Sequence, residues 1–249
     1  FIFSGGVAEN IKASKKILSL NGIKSLFVPP GPGDESISIG AAYILINDKL
    51  KIQKKHISSM LNPYVGSSYK KNDLNFIFKS KKIRVKKVNN KSVAKILNQG
   101  IPIARFSTNK SEFGPRALGN RSIIASPKNA QVIHHINESI KIRDFWMPFA
   151  PSIISTDFKK LLINKKNSFH NFMTTSLDST EFAKKNIPGA LHPFDRTSRP
   201  HIVYKKYNKD YFNLILEFKK ISGVGCLLNT SFNVHGEPIV NSPKDAIKT

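Results

Sequence analysis

One stretch, Glu112–Ser122, restricts the backbone of this chain more than any other part of its sequence. It reads EFGPRALGNRS, so that two glycines and a proline surround Arg116 and Arg121. Glycine and proline are the residues of tight and unusual backbone conformations. A guanidinium group offers a planar fork of donors that suits carboxylate and phosphate oxygens. The stretch therefore predicts a chain that bends closely around an anion.

Arginine is rare in this chain, which makes its positions informative. The chain has 40 lysines and arginines, and only seven of them are arginines. Five of the seven lie in three motif-like stretches, at Arg116, Arg121, Arg143, Arg196 and Arg199. These arginines can form one anion site, or they can form structural ion pairs and contacts with backbone carbonyls. Because the chain offers only 16 acidic partners, the composition favours the anion site.

The net charge of +24 raises the question of a nucleic-acid partner. The lysines are scattered in pairs with no dense tract, which is typical of solvated surfaces, so nucleic acid is not predicted as the main partner. The absence of a run of about 18 apolar residues argues against a membrane span, and no targeting peptide is recognised. The single cysteine, Cys226, excludes an internal disulfide and fits a reducing cytoplasm. A buried strand position is the favoured explanation for it.

Strands and helices alternate along the chain, which predicts an α/β fold. Strands are expected at 1–3, 25–28, 83–88, 101–106, 122–125, 202–204 and 224–228, and helices at 8–20, 37–45, 92–98, 127–140, 211–220 and 245–249. Residues 48–82 are rich in lysine, serine and asparagine, and we interpret them as a partly ordered linker. Because residues 1–3 already form a strand, the chain is expected to begin inside a domain.

Polar side chains cluster where an apolar segment ends. The sequence NTSFN at 229–233 follows the strand at 224–228, and open α/β sheets place ligands at the carboxyl ends of parallel strands. The stiff apolar segment 146–151 is predicted to form the wall of a pocket. No cluster of histidine and cysteine has metal-ligand spacing. From the residues alone, Asp34 is a helix N-terminal acid more readily than a metal or substrate ligand.

These motifs, taken in order, resemble the nodulation-type O-carbamoyltransferase family. In the second half of the chain the resemblance rests on Glu112–Ser122, Arg143 with PFAP at 148–151, the arginine loop at 195–199, and residues 229–238. In the first half, SGGVAEN at 4–10 and Gly33-Asp34 are similar to the last part of the family's first domain. The resemblance covers nearly the whole chain, and the central stretch is its most specific part.

The resemblance implies two domains joined by a linker. Residues 1–66 would be the C-terminal piece of an actin/hexokinase-like (ASKHA) ATPase domain, 67–82 the linker, and 83–249 a YrdC-like α/β domain with a twisted open sheet. In the family, the YrdC-like domain makes carbamoyl adenylate from ATP and carbamoyl phosphate, with Mg²⁺ expected. The first domain then transfers the carbamoyl group to a hydroxyl near a bound Fe²⁺. The implied function is ATP-dependent O-carbamoyl transfer to a sugar, polysaccharide precursor or antibiotic-like metabolite by a cytoplasmic enzyme, which can be a homodimer.

The resemblance also implies roles for individual residues. The arginines that would hold phosphates or the carbamoyl group during catalysis are Arg116, Arg121, Arg143 and Arg199. Contacts with substrate or nucleotide in the second domain are expected from Lys110, Gly114, Asn120, Ser122, Thr197, Asn229, Ser231 and Asn233. In the first domain, Gly5, Gly6 and Asn10 match a nucleotide-contacting loop, and Asp34 matches a metal-ligand aspartate.

The sequence departs from the family pattern in several places. The family's first domain is longer, with metal-binding histidines upstream of the residues present here, and a final helix and strand are missing. The chain is therefore expected to be a fragment that retains adenylate formation in principle and lacks the transfer step. Met147 stands where many members carry arginine, which removes one anion contact. Arg196 stands where many carry glycine, which returns a contact close by.

Two alternatives from other classes stay open. One is a threonylcarbamoyl-adenylate synthase-like enzyme of tRNA modification, against which the preceding ATPase-like segment argues. The other is a non-enzymatic RNA-binding YrdC-like module that uses the net positive charge. Pyrophosphate release with carbamoyl phosphate, compared with threonine plus bicarbonate, separates the two enzymes. Binding that ignores ATP and collapses with modest salt would indicate the RNA-binding module.

Overall fold

The computed structural model describes residues 1–49, 61–80, 83–128, 131–142, 144, 147–166 and 168–249. The predicted catalytic residue Arg143 and the predicted wall residue Trp146 lie outside the described residues. The helices are α1 Ile11–Ser19, α2 Ile37–Asp48, α3 Lys71–Ser80, α4 Asn90–Asn98, α5 Gln131–Ile136, α6 Phe158–Leu161, α7 Glu181–Asn186, α8 Lys209–Ser222 and α9 Pro243–Lys248. The strands are β1 Ile103–Phe106, β2 Arg121–Ala125, β3 Ala150–Ile154, β4 Leu162–Ile163, β5 Leu177–Ser179, β6 Thr197–Ser198, β7 His201–Val203 and β8 Cys226–Ser231.

Five strands form the main sheet, in the order β1-β2-β8-β3-β7, and β4, β5 and β6 form a small antiparallel sheet. In the main sheet β3 and β7 run parallel, whereas β1 with β2, β2 with β8, and β8 with β3 are antiparallel pairs. The main sheet is thus mixed and open, with β1 and β7 at its edges. Together with the helices it forms a mixed α/β fold, which confirms the predicted fold class.

The central strand, β8, leads into the polar segment that the sequence singles out. Its first four residues are buried, because the strand is paired on both sides. The prediction that this segment ends a parallel strand is wrong, since both neighbours of β8 are antiparallel to it. A continuous apolar run is the mark of a buried strand, and it carries no information about the direction of the neighbours.

Helices α4 and α8 pack against each other and belong to the main hydrophobic core. Each is preceded by an N-cap asparagine, Asn89 or Asn208, whose side chain accepts a hydrogen bond from a backbone N–H of the first turn. Cys226 lies in the same core, where burial raises the pKa of its thiol. It is therefore the buried strand residue that the sequence favoured.

Several segments differ from the sequence-based assignment. Residues 83–88, predicted as a strand, are exposed, have no regular structure and pair with no strand in the described part of the chain. The sequence does not indicate β3, since prolines at 148 and 151 suggest an irregular loop, yet Pro151 pairs with Leu228 in the sheet. The described part of the helix predicted at 127–140 is α5 followed by a π-helical segment, Asn137–Lys141.

The N-terminal segment forms a small core of its own. Ile2 and Phe27 make a short parallel bridge, and the buried side chains around it are Ala8, Leu18, Leu26 and Val28. Helix α2, by contrast, buries none of its residues, and the exposed fractions of Ile37 and Ile44 are 67% and 64%.

Residues 63–69 connect the N-terminal segment to the main unit. They run beside residues 108–113, with the N–H of Phe113 donating to the carbonyl of Pro63 at 2.8 Å. Helix α3 follows, inside the segment predicted as a linker, and contacts α9. The Glu112–Ser122 stretch thus lies where the N-terminal segments meet the main sheet.

Candidate active site

The acidic residue of the central stretch holds the loop together. Oε1 of Glu112 accepts hydrogen bonds from the backbone N–H groups of Leu118 and Asn120, both at 2.7 Å, and of Arg121 at 3.2 Å. A carboxylate that accepts several N–H bonds is a strong local clamp. Glu112 therefore fixes the conformation in which the following residues enter β2.

The two glycines of the stretch are required by close packing. Gly114 has φ +95°, and a Cβ placed on it would lie 2.3 Å from the carbonyl oxygen of Pro30. Gly119 has φ +105°, and its Cβ would lie 2.3 Å from the ring of Tyr211. The structure thus explains Gly114, a predicted ligand contact, by the close approach of the N-terminal segment.

Arg121 does not line a cavity with Arg116 and Arg199. It is 2% exposed, and its Nη1 donates to the carbonyl oxygens of Ser107 at 2.6 Å and Asn120 at 3.0 Å. Its guanidinium group lies 3.9 Å from the ring centre of Phe106, and burial lowers its pKa. Its Nε and Nη1 thus make the carbonyl contacts that were the alternative to an anion site, whereas its buried Nη2 has no hydrogen-bond partner among the described residues.

Asn120 and Ser122, predicted to contact a ligand, form hydrogen bonds with other residues of the protein. Oδ1 of Asn120 accepts from Arg105 and from Asn208, both at 2.9 Å, and its Nδ2 donates to the carbonyl of Lys110 at 2.8 Å. Oγ of Ser122 accepts from the N–H of Gly119 at 2.9 Å. Lys110 and Asn120 line a separate cavity of about 360 Å³, away from the remaining predicted site residues.

Arg116 and Arg199 lie together at a cavity of about 110 Å³. Residues 148–150 form part of its wall, which confirms the predicted wall in its described part. The polar residues Asn229, Thr230 and Ser231 of β8 also line it. Two arginines from distant segments therefore meet the end of the central strand, and this small cavity is the candidate anion site.

A buried lysine, Lys141, is connected to the small cavity. It is 5% exposed, and its Nζ donates to the backbone carbonyl and to Oγ of Ser231, the latter at 3.1 Å. It also donates to the carbonyl oxygen and Oδ1 of Asn233, at 2.9 and 2.5 Å. Ser231 and Asn233 are thus held around a cation that the sequence does not single out. Nothing in the neighbouring sequence distinguishes Lys141 from the other lysines of the chain, 33 in all, so its burial could not be predicted.

A larger cavity of about 260 Å³ adjoins the small one and shares Arg199 and residues 148–150 with it. It is lined largely by apolar groups, with Lys12, His192 and Thr197 as polar members. Met147, which stands where many members of the family carry arginine, also lines this larger cavity. The two cavities form one site with a polar end and a more apolar end.

Lys12 brings the N-terminal segment to this larger cavity. Its Nζ donates to Oγ1 of Thr197 at 2.9 Å and pairs with the carboxylate of Asp195. Partial burial raises the pKa of Asp195, but the hydrogen bonds from Lys12 and Thr197 outweigh it and leave the pKa well below its usual value. Arg196, beside them, is exposed at φ +55° and lines neither cavity, so the expected extra anion contact is not found there.

The predicted contacts in the N-terminal segment are exposed. Gly5 and Gly6 are open to solvent, and Oδ1 of Asn10 caps α1 by accepting from the N–H groups of Lys12 and Ala13. Asp34 begins a short 3-10 helix and is exposed. No group of three or more His, Cys, Asp or Glu residues in the described ranges could hold a metal ion. The described residues alone therefore do not fit a metal site.

Comparison with known proteins identifies the family of the chain. A family model described as "Carbamoyltransferase C-terminus" matches residues 94–249. An uncharacterized protein of Methanocaldococcus jannaschii is 34% identical over 251 residues, which cover 98% of this chain and 40% of that protein. Nodulation protein NolNO of Sinorhizobium fredii is 33% identical over 99% of this chain and 36% of its own length. Nodulation protein NolO of Bradyrhizobium diazoefficiens is 33% identical over 99% of this chain and 45% of its own length.

The chain spans less than half the length of these relatives. Among solved structures, HypF of T. kodakarensis superposes on 66% of this chain and 20% of its own, with a TM-score of 0.44 and 15% identity. In the described part of the chain, no helix has the length and apolar character needed to cross a membrane. On the family match and the sequence identities, the chain is a member of the carbamoyltransferase family, which is a family of transferase enzymes, and residues 94–249 are its carbamoyltransferase C-terminal domain.

Proposed function

We propose that this chain is the adenylate-forming part of an ATP-dependent O-carbamoyltransferase. The observation that carries the proposal is the meeting of Arg116 and Arg199 at one small cavity, next to Lys141 and the end of β8. Guanidinium groups are suited to bind phosphate oxygens through paired donors. Lys141 adds a third positive charge through its contact with Ser231. Such a site neutralises the charge that accumulates on transferring phosphates.

The chemistry proposed for the site consumes one molecule each of ATP, carbamoyl phosphate and water. Carbamoyl phosphate first loses its phosphate to water and leaves carbamate. An oxygen of carbamate then attacks the α-phosphorus of ATP, and the bond to pyrophosphate breaks. Carbamoyl adenylate, pyrophosphate and phosphate are the products. We assign the carbamoyl and phosphate groups to the small cavity and the nucleoside to the adjoining cavity of about 260 Å³, which is more apolar.

The later transfer of the carbamoyl group to a hydroxyl of a sugar or related metabolite also belongs to the proposal. We infer that it takes place in the cytoplasm and involves parts of the relatives' length that this chain does not match. Lys12 and Glu9 support a link between the two units, because Lys12 lines the larger cavity and Glu9 lies 3.9 Å from Arg116. Mg²⁺ would accompany ATP as part of the substrate.

The test is a pyrophosphate-release assay with ATP and carbamoyl phosphate. We expect Arg116→Ala to abolish release while the thermal unfolding midpoint stays close to that of the wild type, because the side chain is partly exposed and its ion pair with Glu9 is a surface pair. Arg84→Ala is the matched control, since Arg84 is exposed and lines none of the cavities described above. Near-normal release by Arg116→Ala would refute the site assignment.

The same assay distinguishes the competing enzyme class. A threonylcarbamoyl-adenylate synthase would release pyrophosphate with threonine and bicarbonate in place of carbamoyl phosphate. With ATP present, we expect pyrophosphate release when carbamoyl phosphate is added and none when threonine and bicarbonate are added in its place. Activity confined to threonine and bicarbonate would instead establish the other reaction at this site.

A further inference from the structure

Asn229 lines the small cavity, and one half of its amide group has no hydrogen-bond partner among the described residues. Its Nδ2 donates to the carbonyl of Ala117 and to Oγ of Ser152, both at 3.0 Å. Its Oδ1 accepts no hydrogen bond from the described residues. The residue is 2% exposed, so bulk water does not satisfy this oxygen. Buried acceptors without a partner are rare in proteins and call for an explanation.

The orientation of this amide group is determined by its neighbours. A backbone carbonyl can only accept, so the nitrogen of Asn229 must face Ala117. Ser152 Oγ lies 2.9 Å from Nδ1 of His201. Burial lowers the pKa of His201 to about 3, so the ring is neutral near pH 7 and its Nδ1 can accept the hydroxyl proton of Ser152. Ser152 Oγ then remains an acceptor for Asn229, and the oxygen of Asn229 is the polar atom left for a ligand.

The charge at the cavity defines what that ligand must carry. Arg116 and Arg199 line the same cavity, so one end of the ligand is an anion such as phosphate. The free oxygen of Asn229 requires a hydrogen-bond donor at another end. Carbamoyl phosphate has both groups, because its carbamoyl carbon carries an NH₂ group. Acetyl phosphate has the same phosphate and carbonyl but carries a methyl group in place of the donor.

We propose that Oδ1 of Asn229 accepts a hydrogen bond from the NH₂ group of carbamoyl phosphate and thereby selects it against other acyl phosphates. This inference rests on the proposed function and adds the residue that determines acyl-group specificity. Asn229 lines the small cavity and its Oδ1 is buried, so a ligand that pairs with this oxygen has to reach it from within the cavity. A site built around a buried acceptor rejects an analogue that leaves this acceptor unpaired.

Two stable analogues test the inference by binding alone. Phosphonoacetamide carries the NH₂ group, and 2-oxopropylphosphonate carries a methyl group at the same place. Isothermal titration of the wild-type protein with both, and with inorganic phosphate, should give at least about tenfold tighter binding of the amide. Equal affinity for the two analogues would overturn the specificity role while leaving the anion site intact. Binding of none of the three would overturn the proposed function, and the inference with it.

Variants separate recognition from a structural role. Asn229→Leu should reduce the preference for the amide to within about twofold, because it removes the acceptor at similar side-chain size. Ser152→Ala is the control, since it disturbs the same buried network and keeps Oδ1 in place. We expect this control to retain the preference. Loss of the preference in both variants, or its persistence in Asn229→Leu, would overturn the inference. If Asn229→Leu does not fold, the wild-type comparison decides.

Discussion

At the scale of single residues, the positive charges of the site are held in different ways. Arg116 is partly exposed, with its side chain 30% accessible, and is therefore available to a ligand. Arg121 is buried among carbonyl groups and an aromatic ring. Lys141 is buried too, but it contacts two residues at the end of β8. A basic residue in a motif therefore acts on the ligand or on the loop, depending on which oxygens lie within reach.

Replacing Lys141 by methionine should affect both stability and binding. The substitution keeps most of the apolar stem but leaves the oxygens of Ser231 and Asn233 without their donor. We expect the free energy of unfolding to fall by about 1–3 kcal/mol, the usual cost of stranding buried polar groups. Phosphate binding should weaken as well. Urea denaturation and isothermal titration measure the two effects.

Lys128→Met is the control for this change, because Lys128 is exposed. An exposed substitution should change the free energy of unfolding by no more than about 0.5 kcal/mol. If Lys141→Met were equally harmless, the buried lysine would have no structural role at the end of β8.

At the scale of elements, the Glu112–Ser122 stretch contacts both the N-terminal segment and α8, and it also forms part of the site. Glu112 clamps its backbone, Gly119 lets α8 approach, and Gly114 lets the N-terminal segment approach. The same loop places Arg116 at the small cavity. Docking and charge placement are therefore consequences of one loop conformation, so a change that disturbs the docking should also disturb the site.

Gly114→Ala tests this dependence. The new Cβ would meet a backbone carbonyl at 2.3 Å, and φ +95° is unfavourable for any residue with a Cβ. We expect the free energy of unfolding to fall by at least about 2 kcal/mol, with a parallel loss of phosphate binding. Denaturant unfolding and titration of the same preparations provide the measurement.

Gly40→Ala is the matched control, because Gly40 lies inside α2 with open space around it. There the same substitution should stabilise the protein by about 0.5–1 kcal/mol through helix propensity. A Gly114→Ala variant as stable as Gly40→Ala would contradict the tight approach of Pro30 to the loop.

At the scale of the whole molecule, local patterns predict the elements better than their contacts. The continuous apolar run at 224–228 identifies β8, and the proline-rich segment 146–151 identifies a cavity wall, because both patterns depend on neighbouring residues. The strand directions around β8, the burial of Lys141 and the separation of Arg121 from Arg116 depend on pairing between distant segments. The number of acidic residues could not predict the environment of Arg121 either, because its Nη1 donates to backbone carbonyl oxygens, which every residue carries.

The whole molecule should lose stability as the pH falls below about 6.5, the ordinary pKa of histidine. Burial lowers the pKa of His201 to about 3 and that of His170 to about 4. Both rings stay neutral in the folded protein, whereas in the unfolded chain they take up protons near pH 6.5. The unfolded state therefore binds more protons between pH 6.5 and 4, and stability decreases with acidification across that range.

The expected slope is up to about 1.4 kcal/mol per pH unit for each histidine. The pKa values of the carboxyl groups of Asp195 and Asp245 are lowered in the folded protein. Their contribution to stability is therefore lost mainly at lower pH than that of the histidines, as the pH falls below about 3.9. Urea denaturation at several pH values between 7 and 5 covers the range in which the histidines contribute more than these two carboxyl groups. His201→Asn should flatten the curve by up to one histidine's slope, because the replacement does not titrate. A slope unchanged by His201→Asn would show that the buried ring is not responsible for the acid sensitivity.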